Sequence, residues 1–95
     1  MAPSAKSPAE KLLDQAEAKL SSKGWLSFSS PKYEEAGDLY KEAANSFKLD
    51  KKFKEAGDAH AKEAECREKQ DEKNEAAQAW WDAAKAYKRV DLPRE

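Results

Sequence analysis

The sequence predicts an all-α chain, a solenoid of antiparallel helical hairpins with about four helices in its 95 residues. Three observations predict it. The β-branched residues that suit a pleated sheet are nearly missing, with no Thr, no Ile and a single Val, Val90. Alanine occurs 18 times and charged residues make up 39%, the composition of solvated helices. An apolar stripe at helical spacing also appears twice, 40 residues apart. Ala36, Leu39, Tyr40, Ala43, Ala44 and Phe47 become Ala76, Ala79, Trp80, Ala83, Ala84 and Tyr87. Only 12 residues are Leu, Ile, Val, Phe or Met, too few for a thick core, yet 18 basic residues balance 19 acidic ones. A chain disordered by self-repulsion would carry a larger net charge.

The first helix is expected over about 8–22. Ser7-Pro8-Ala9-Glu10 reads as a capping box with Pro at the first helical position. Leu12, Leu13, Ala16 and Leu20 then share one face, and Gly24 follows the end. Ser30-Pro31 opens a second helix, 31–49. Asp50 and Asp71, each with a side-chain oxygen suited to an orphan amide, are expected to cap helices over 51–70 and 72–90. Pro93 disfavours helical geometry at Leu92 and so ends the last one.

The repeat is finer than 40 residues. Tyr33-Glu34-Glu35-Ala36-Gly37-Asp38 matches Phe53-Lys54-Glu55-Ala56-Gly57-Asp58 in class at an offset of 20, so each helix with its turn is one unit. The third helix carries a weaker stripe: Ala56, Ala59, His60 and Ala64. Gly37 and Gly57 each cost about 1 kcal/mol against Ala within a helix. Their equivalence predicts places where neighbouring helices come too close for a Cβ. The aromatic residues at the stripe ends are expected to supply most of the core, at about 1.5–3 kcal/mol each.

The segment 23–30 departs from this pattern. A loop rich in Gly and Ser holds Trp25, Leu26 and Phe28 within four residues. Two readings stand. The three side chains fold under the first hairpin, or they form an exposed anchor for a bilayer or a protein groove, with Lys19, Lys23 and Lys32 flanking it.

Several function classes fall away. No apolar run approaches the length of a membrane span, and residues 1–11 lack a signal peptide's hydrophobic segment. The lone Cys66 has no partner for an internal disulfide, which suits the cytosol. A net charge of −1 argues against general nucleic-acid binding. One His and one Cys make no zinc site, and no cofactor is expected. His60 and Cys66 are six apart, on different faces of a helix, with no second base or oxyanion loop, so an enzyme is not expected.

Lys32-Tyr33-Glu34-Glu35-Ala36-Gly37-Asp38-Leu39-Tyr40, then Ala43-Ala44-Asn45-Ser46-Phe47-Lys48, resembles the second helix of soluble NSF attachment proteins (the alpha-SNAP/Sec17 family). The resemblance continues through Phe53-Lys54-Glu55-Ala56-Gly57-Asp58 to Ala86-Tyr87-Lys88-Arg89, roughly Glu10 to Asp91 in all. It implies a tetratricopeptide-like right-handed solenoid that forms a single N-terminal helical-repeat domain over 1–95. The function it implies is that of an adaptor in SNARE complex disassembly and vesicle fusion, cytoplasmic and peripheral on membranes. Syntaxin-type SNARE four-helix bundles would bind basic residues, at positions matching Lys51, Lys88 and Arg89. Trp25, Leu26 and Phe28 would be the membrane-attachment loop, facing an anionic surface. Family members recruit the NSF ATPase through a C-terminal region, which is expected to be absent from this chain. Trp81, one residue off the stripe, is expected to be partly exposed. The alternative is a soluble tetratricopeptide-like scaffold for a peptide tail, with no membrane role.

Overall fold

The computed structural model describes residues 6–21 and 31–90, and these form four helices. Helix α1 spans Pro8–Ser21, α2 Lys32–Leu49, α3 Phe53–Lys69 and α4 Lys73–Lys88. The substantial interfaces join α1 to α2, α2 to α3 and α3 to α4, so each helix packs on its neighbour in sequence. The assembly measures 52 × 42 × 16 Å, the thin slab of an open solenoid rather than a closed bundle. The short turns 50–52 and 70–72 make α2 and α3, and α3 and α4, antiparallel, so α2 and α4 run parallel on either side of α3.

Helix α1 starts on the expected capping box. The Glu10 amide donates to Ser7 Oγ and the Ser7 amide donates to Glu10 Oε1, both at 3.1 Å. The expected cap Ser30 lies outside the described residues, and the caps expected at Asp50 and Asp71 are corrected by the structure. Asp50 is the C-terminal cap of α2, and Asp71 follows the end of α3. Lys52 and Glu72 precede α3 and α4, and neither contributes a side-chain cap bond. Each turn is instead closed by main-chain bonds from the preceding helix. Lys52 N donates to the Phe47 carbonyl at 2.8 Å and Lys51 N to that of Lys48 at 2.9 Å. Twenty residues on, Glu72 N donates to Arg67 and Asp71 N to Glu68, at 2.8 and 2.9 Å. These are two Schellman motifs with a left-handed residue at their centre, Lys51 at φ 62° and Asp71 at φ 61°.

The core is largely alanine. Ala9, Ala16, Ala36, Ala43, Ala44, Ala56 and Ala64 are fully buried, and they let helix backbones approach closely. Of the stripe aromatics, Tyr40 and Phe47 are buried, while Trp80 and Tyr87 are each 41% exposed. The expectation that aromatics supply most of the core is therefore corrected. Once alanine fills the contacts, helices lie too close for further rings between them, and α4 sends its rings to the margin.

The two helical glycines meet their partners as the repeat predicts. A Cβ on Gly57 would lie 2.5 Å from the Tyr87 ring, and one on Gly37 2.9 Å from Arg67 Nη1. The adjacent aspartates bind the same partners. Tyr87 Oη donates to Asp58 at 2.5 Å, and Arg67 Nη2 to Asp38 at 3.0 Å. His60, on the α3 stripe, is 1% exposed and its Nδ1 lies 3.0 Å from Glu63 Oε1. The other carboxylate oxygen of Glu63 accepts from Arg67 at 3.4 Å, which links the buried pair to Asp38.

Candidate interaction groove

The candidate site lies between the parallel helices α2 and α4, with α3 as its floor. At one end, a hollow of about 390 Å³ is lined by Lys48 and Lys51 from the end of α2 and its turn, Phe53 from α3, and Lys85, Ala86 and Arg89 from α4. Four cations and one aromatic ring thus line one hollow. The Arg89 guanidinium stands 4.5 Å above the Phe53 ring centroid, a cation–π contact that holds the arginine over the hollow. Lys85 lies 3.6 Å from Asp82 and 5.9 Å from the Trp81 ring centroid. The left-handed backbone of Lys51 turns that residue back toward the α2 terminus, beside Lys48.

The structure therefore brings together two of the three sequence-predicted cations, Lys51 and Arg89. Lys88 is exposed on α4 and lies outside the lining of the hollow. Lys48 and Lys85 complete the cluster without having been singled out by the sequence. The available signal was spacing: Lys85 precedes Arg89 by four positions on one helix face, and Lys48 precedes Lys51 across a turn. Trp25, Leu26 and Phe28 lie outside the described residues. Trp81 is 61% exposed.

At the other end of the same groove, a hollow of about 330 Å³ is bounded by Glu34, Asp38 and Lys41 on α2, Glu63, Arg67 and Gln70 on α3, and chiefly acidic residues of α4. Burial works against the Arg67 charge, but the hydrogen bond it donates to Asp38 and the attraction of Glu63 hold its pKa above the ordinary value. Cys66, also on α3, is 3% exposed. Burial pushes its thiol up, away from the thiolate a nucleophile needs. Among the described residues, no helix is long and apolar enough to cross a membrane.

Comparison with known proteins finds relatives over most of the chain. The family model for "Soluble NSF attachment protein, SNAP" matches residues 7–94. The chain is 62% identical over 90 residues to "Vesicular-fusion protein SEC17" of Coprinopsis cinerea, covering 94% of this chain and 30% of that one. It is 45% identical over 81 residues to "Alpha-soluble NSF attachment protein" of Vitis vinifera, covering 85% and 27%. Against the human protein of the same name, identity is 39% over 66 residues, covering 70% and 22%. The chain thus spans under a third of the length of these curated relatives. No solved structure matches it.

Proposed function

The chain belongs to the soluble NSF attachment protein family, and on that premise we propose that it acts as a membrane-fusion adaptor. Its helical surface holds an acidic SNARE four-helix bundle while the segment after α1 holds the bilayer. The observation that carries the reading is the convergence of Lys48, Lys51, Lys85 and Arg89 around Phe53. Four cations, two from the end of α2 with its turn and two from α4, beside an apolar ring from α3, suit an acidic helical surface better than a single carboxylate. Lys88, exposed on α4 next to Arg89, adds charge at the rim.

In this reading Trp25, Leu26 and Phe28 insert at the membrane interface, and nearby lysines favour an anionic leaflet by about 1 kcal/mol each. Each attachment is weak alone. Held together on one slab, each raises the effective concentration of the other, so the adaptor acts where bundle and bilayer coincide. The recruitment of NSF belongs, in the same reading, to the full length of the family's proteins. The relatives' names, vesicular-fusion and NSF attachment proteins, support this assignment.

Flotation with phosphatidylserine-containing liposomes tests the membrane half. Trp25→Ser, Leu26→Ser and Phe28→Ser together abolish flotation while the helical circular-dichroism signal stays unchanged. Flotation that persists in the triple variant, or that never occurs in the wild type, removes the anchor from the account.

A further inference from the structure

Helices α1 and α3 both pack on α2, and between them runs a second trench, which opens on the side of the slab opposite the basic cluster. It holds two adjoining hollows, of about 200 and 150 Å³, which share Tyr40 and Lys62. Leu13 and Ala59 line the first, and Leu20, Tyr33 and Cys66 line the second. Leu13 to Leu20, Tyr33 to Tyr40 and Ala59 to Cys66 are each steps of seven residues, so the two hollows lie about 10 Å apart. Helices α1 and α3 share no substantial interface. Each lies about 8–10 Å from α2, so their axes stand at most about 20 Å apart, and each is about 10–12 Å wide. The gap is too narrow for an α-helix and suits an extended chain.

Tyr40 is the polar group that the fold leaves unanswered there. It is 2% exposed, yet no group among the described residues hydrogen-bonds its hydroxyl. Unlike His60 Nε2, which is sealed off, its oxygen keeps solvent access and so opens into the hollows that the residue lines. Burial and the charge of Glu17 push the phenol up to about 12 with no hydrogen bond taking part, whereas Tyr87 has its bond to Asp58. Glu17 on α1 and Lys62 on α3 stand on the two walls, and neither makes an ion pair among the described residues. At the outer end of the Leu13 hollow, Glu55 is likewise unpaired, while Asp58 beside it is taken up by Tyr87 and Lys54.

The spacing selects the backbone that fits. Three residues of polyproline II advance about 9 Å and return to the same face, close to the separation of the hollows. A β-strand returns to one face every two residues, about 7 Å, and undershoots them. A polyproline II chain has no internal hydrogen bonds, so its carbonyls are open to donors such as Tyr40 and Lys62, and it docks in aromatic-lined grooves. An acyl chain fills apolar hollows but has no polar atom for those donors.

We propose that the α1/α3 trench binds a proline-rich segment of a partner protein in the polyproline II conformation. Apolar residues three apart fill the two hollows, a carbonyl between them accepts from Tyr40 Oη, and a basic residue at one end meets Glu55. The partner is held on one face of the slab while the basic cluster on the other stays free.

Fluorescence anisotropy with labelled synthetic peptides tests this on the whole chain. The first peptide is proline-rich, with two leucines three apart and an arginine at one end. The second has the same composition with the leucines two apart. The first binds at least about tenfold tighter, since the wrong spacing leaves one leucine unseated. It shifts amide resonances of Leu13, Ala59 and Cys66 but not of Lys48 or Arg89. Tyr40→Phe, with its fold checked by circular dichroism, weakens the first peptide about fivefold. Glu55→Lys, at an exposed position, weakens it too, and replacing the peptide's arginine with glutamine removes that effect. Equal binding of the two peptides, or unchanged affinity in Tyr40→Phe, overturns the proposal. If decanoate shifts these resonances and neither peptide does, the trench is an acyl site and the proposal falls. If neither peptide binds until Trp25, Leu26 and Phe28 are replaced with Ser, segment 22–30 is the occupant and the proposal falls likewise. No binding by any of these probes also ends it, and leaves the adaptor reading, which rests on the opposite face, untouched.

Discussion

Tyr87 donates its hydroxyl proton to Asp58 at 2.5 Å, in the place that Arg67 takes against Asp38 at 3.0 Å one repeat earlier. Each pair is separated by 29 residues, and each aspartate follows a glycine that the partner side chain lies against. The Gly-Asp pair is thus a socket for the tip of the next helix. Gly opens the space and Asp supplies the acceptor. A planar ring and a planar guanidinium both fit it.

The two sockets respond differently to alanine. At Gly57 the new methyl would meet the body of the Tyr87 ring at 2.5 Å, so Gly57→Ala displaces the ring and loses its bond to Asp58. A cost of about 1–3 kcal/mol is expected. At Gly37 the contact is with the guanidinium, the far end of a flexible side chain, and with Cys66 Cβ at 3.3 Å. Gly37→Ala therefore costs less, with helix propensity offsetting part of it. Urea denaturation of both variants checks the order. Adding Tyr87→Ala to Gly57→Ala should give a non-additive result, because the clash is then gone.

The turns predict a stabilising change. Asp71 sits at φ 61°, where a side chain costs about 1–2 kcal/mol and Gly costs little. Asp71→Gly should raise stability by about 0.5–1 kcal/mol after the unfolded-state entropy of glycine is counted. For a domain of this size that is a rise of several degrees in Tm, read by thermal circular dichroism.

Alkaline pH should destabilise the fold through Tyr40 and Tyr87. Burial pushes both phenols up to about 12, with Glu17 adding at Tyr40 and the bond to Asp58 adding at Tyr87. A raised folded pKa means the stabilisation is complete below the ordinary value near 10 and is lost as pH climbs from there through about 12. Tyr40, 2% exposed, carries the larger share, on the order of 2–3 kcal/mol. Stability measured from pH 9 to 12 should therefore fall less steeply in Tyr40→Phe than in the wild type. Asp58 acts at the other end of the scale. The hydrogen bond from Tyr87 holds its pKa below the ordinary value, against the effect of burial and with help from Lys54. Its contribution is present above pH 4 and is lost as pH falls through the lowered pKa.

Much of this architecture was legible in the sequence because it is local or periodic. The Ser7–Glu10 capping box, the alanine stripes and the paired glycines depend on residues a few positions apart, or on a repeat that shows itself. Asp50 and Asp71 were misjudged because aspartate suits both an N-cap and the end of a helix. Main-chain bonds decided between them, and no residue type announces those. Trp80 matched Tyr40 in the stripe yet stands 41% exposed, with its indole N–H donating to Glu68 at 2.9 Å. Periodicity gives the face of a helix but not how closely the neighbour approaches it. At the site, family resemblance singled out Lys51 and Arg89. Lys48, Lys85 and the acidic end of the groove needed the parallel placement of α2 and α4.

The claim that the basic end grips an acidic helical bundle is tested most directly by affinity for an assembled syntaxin-type SNARE bundle across a salt series. The wild type is compared with the double variant Lys51→Glu, Arg89→Glu. The account predicts a loss of about tenfold or more at low salt, together with a shallower dependence on salt. Unchanged affinity at low salt would contradict it.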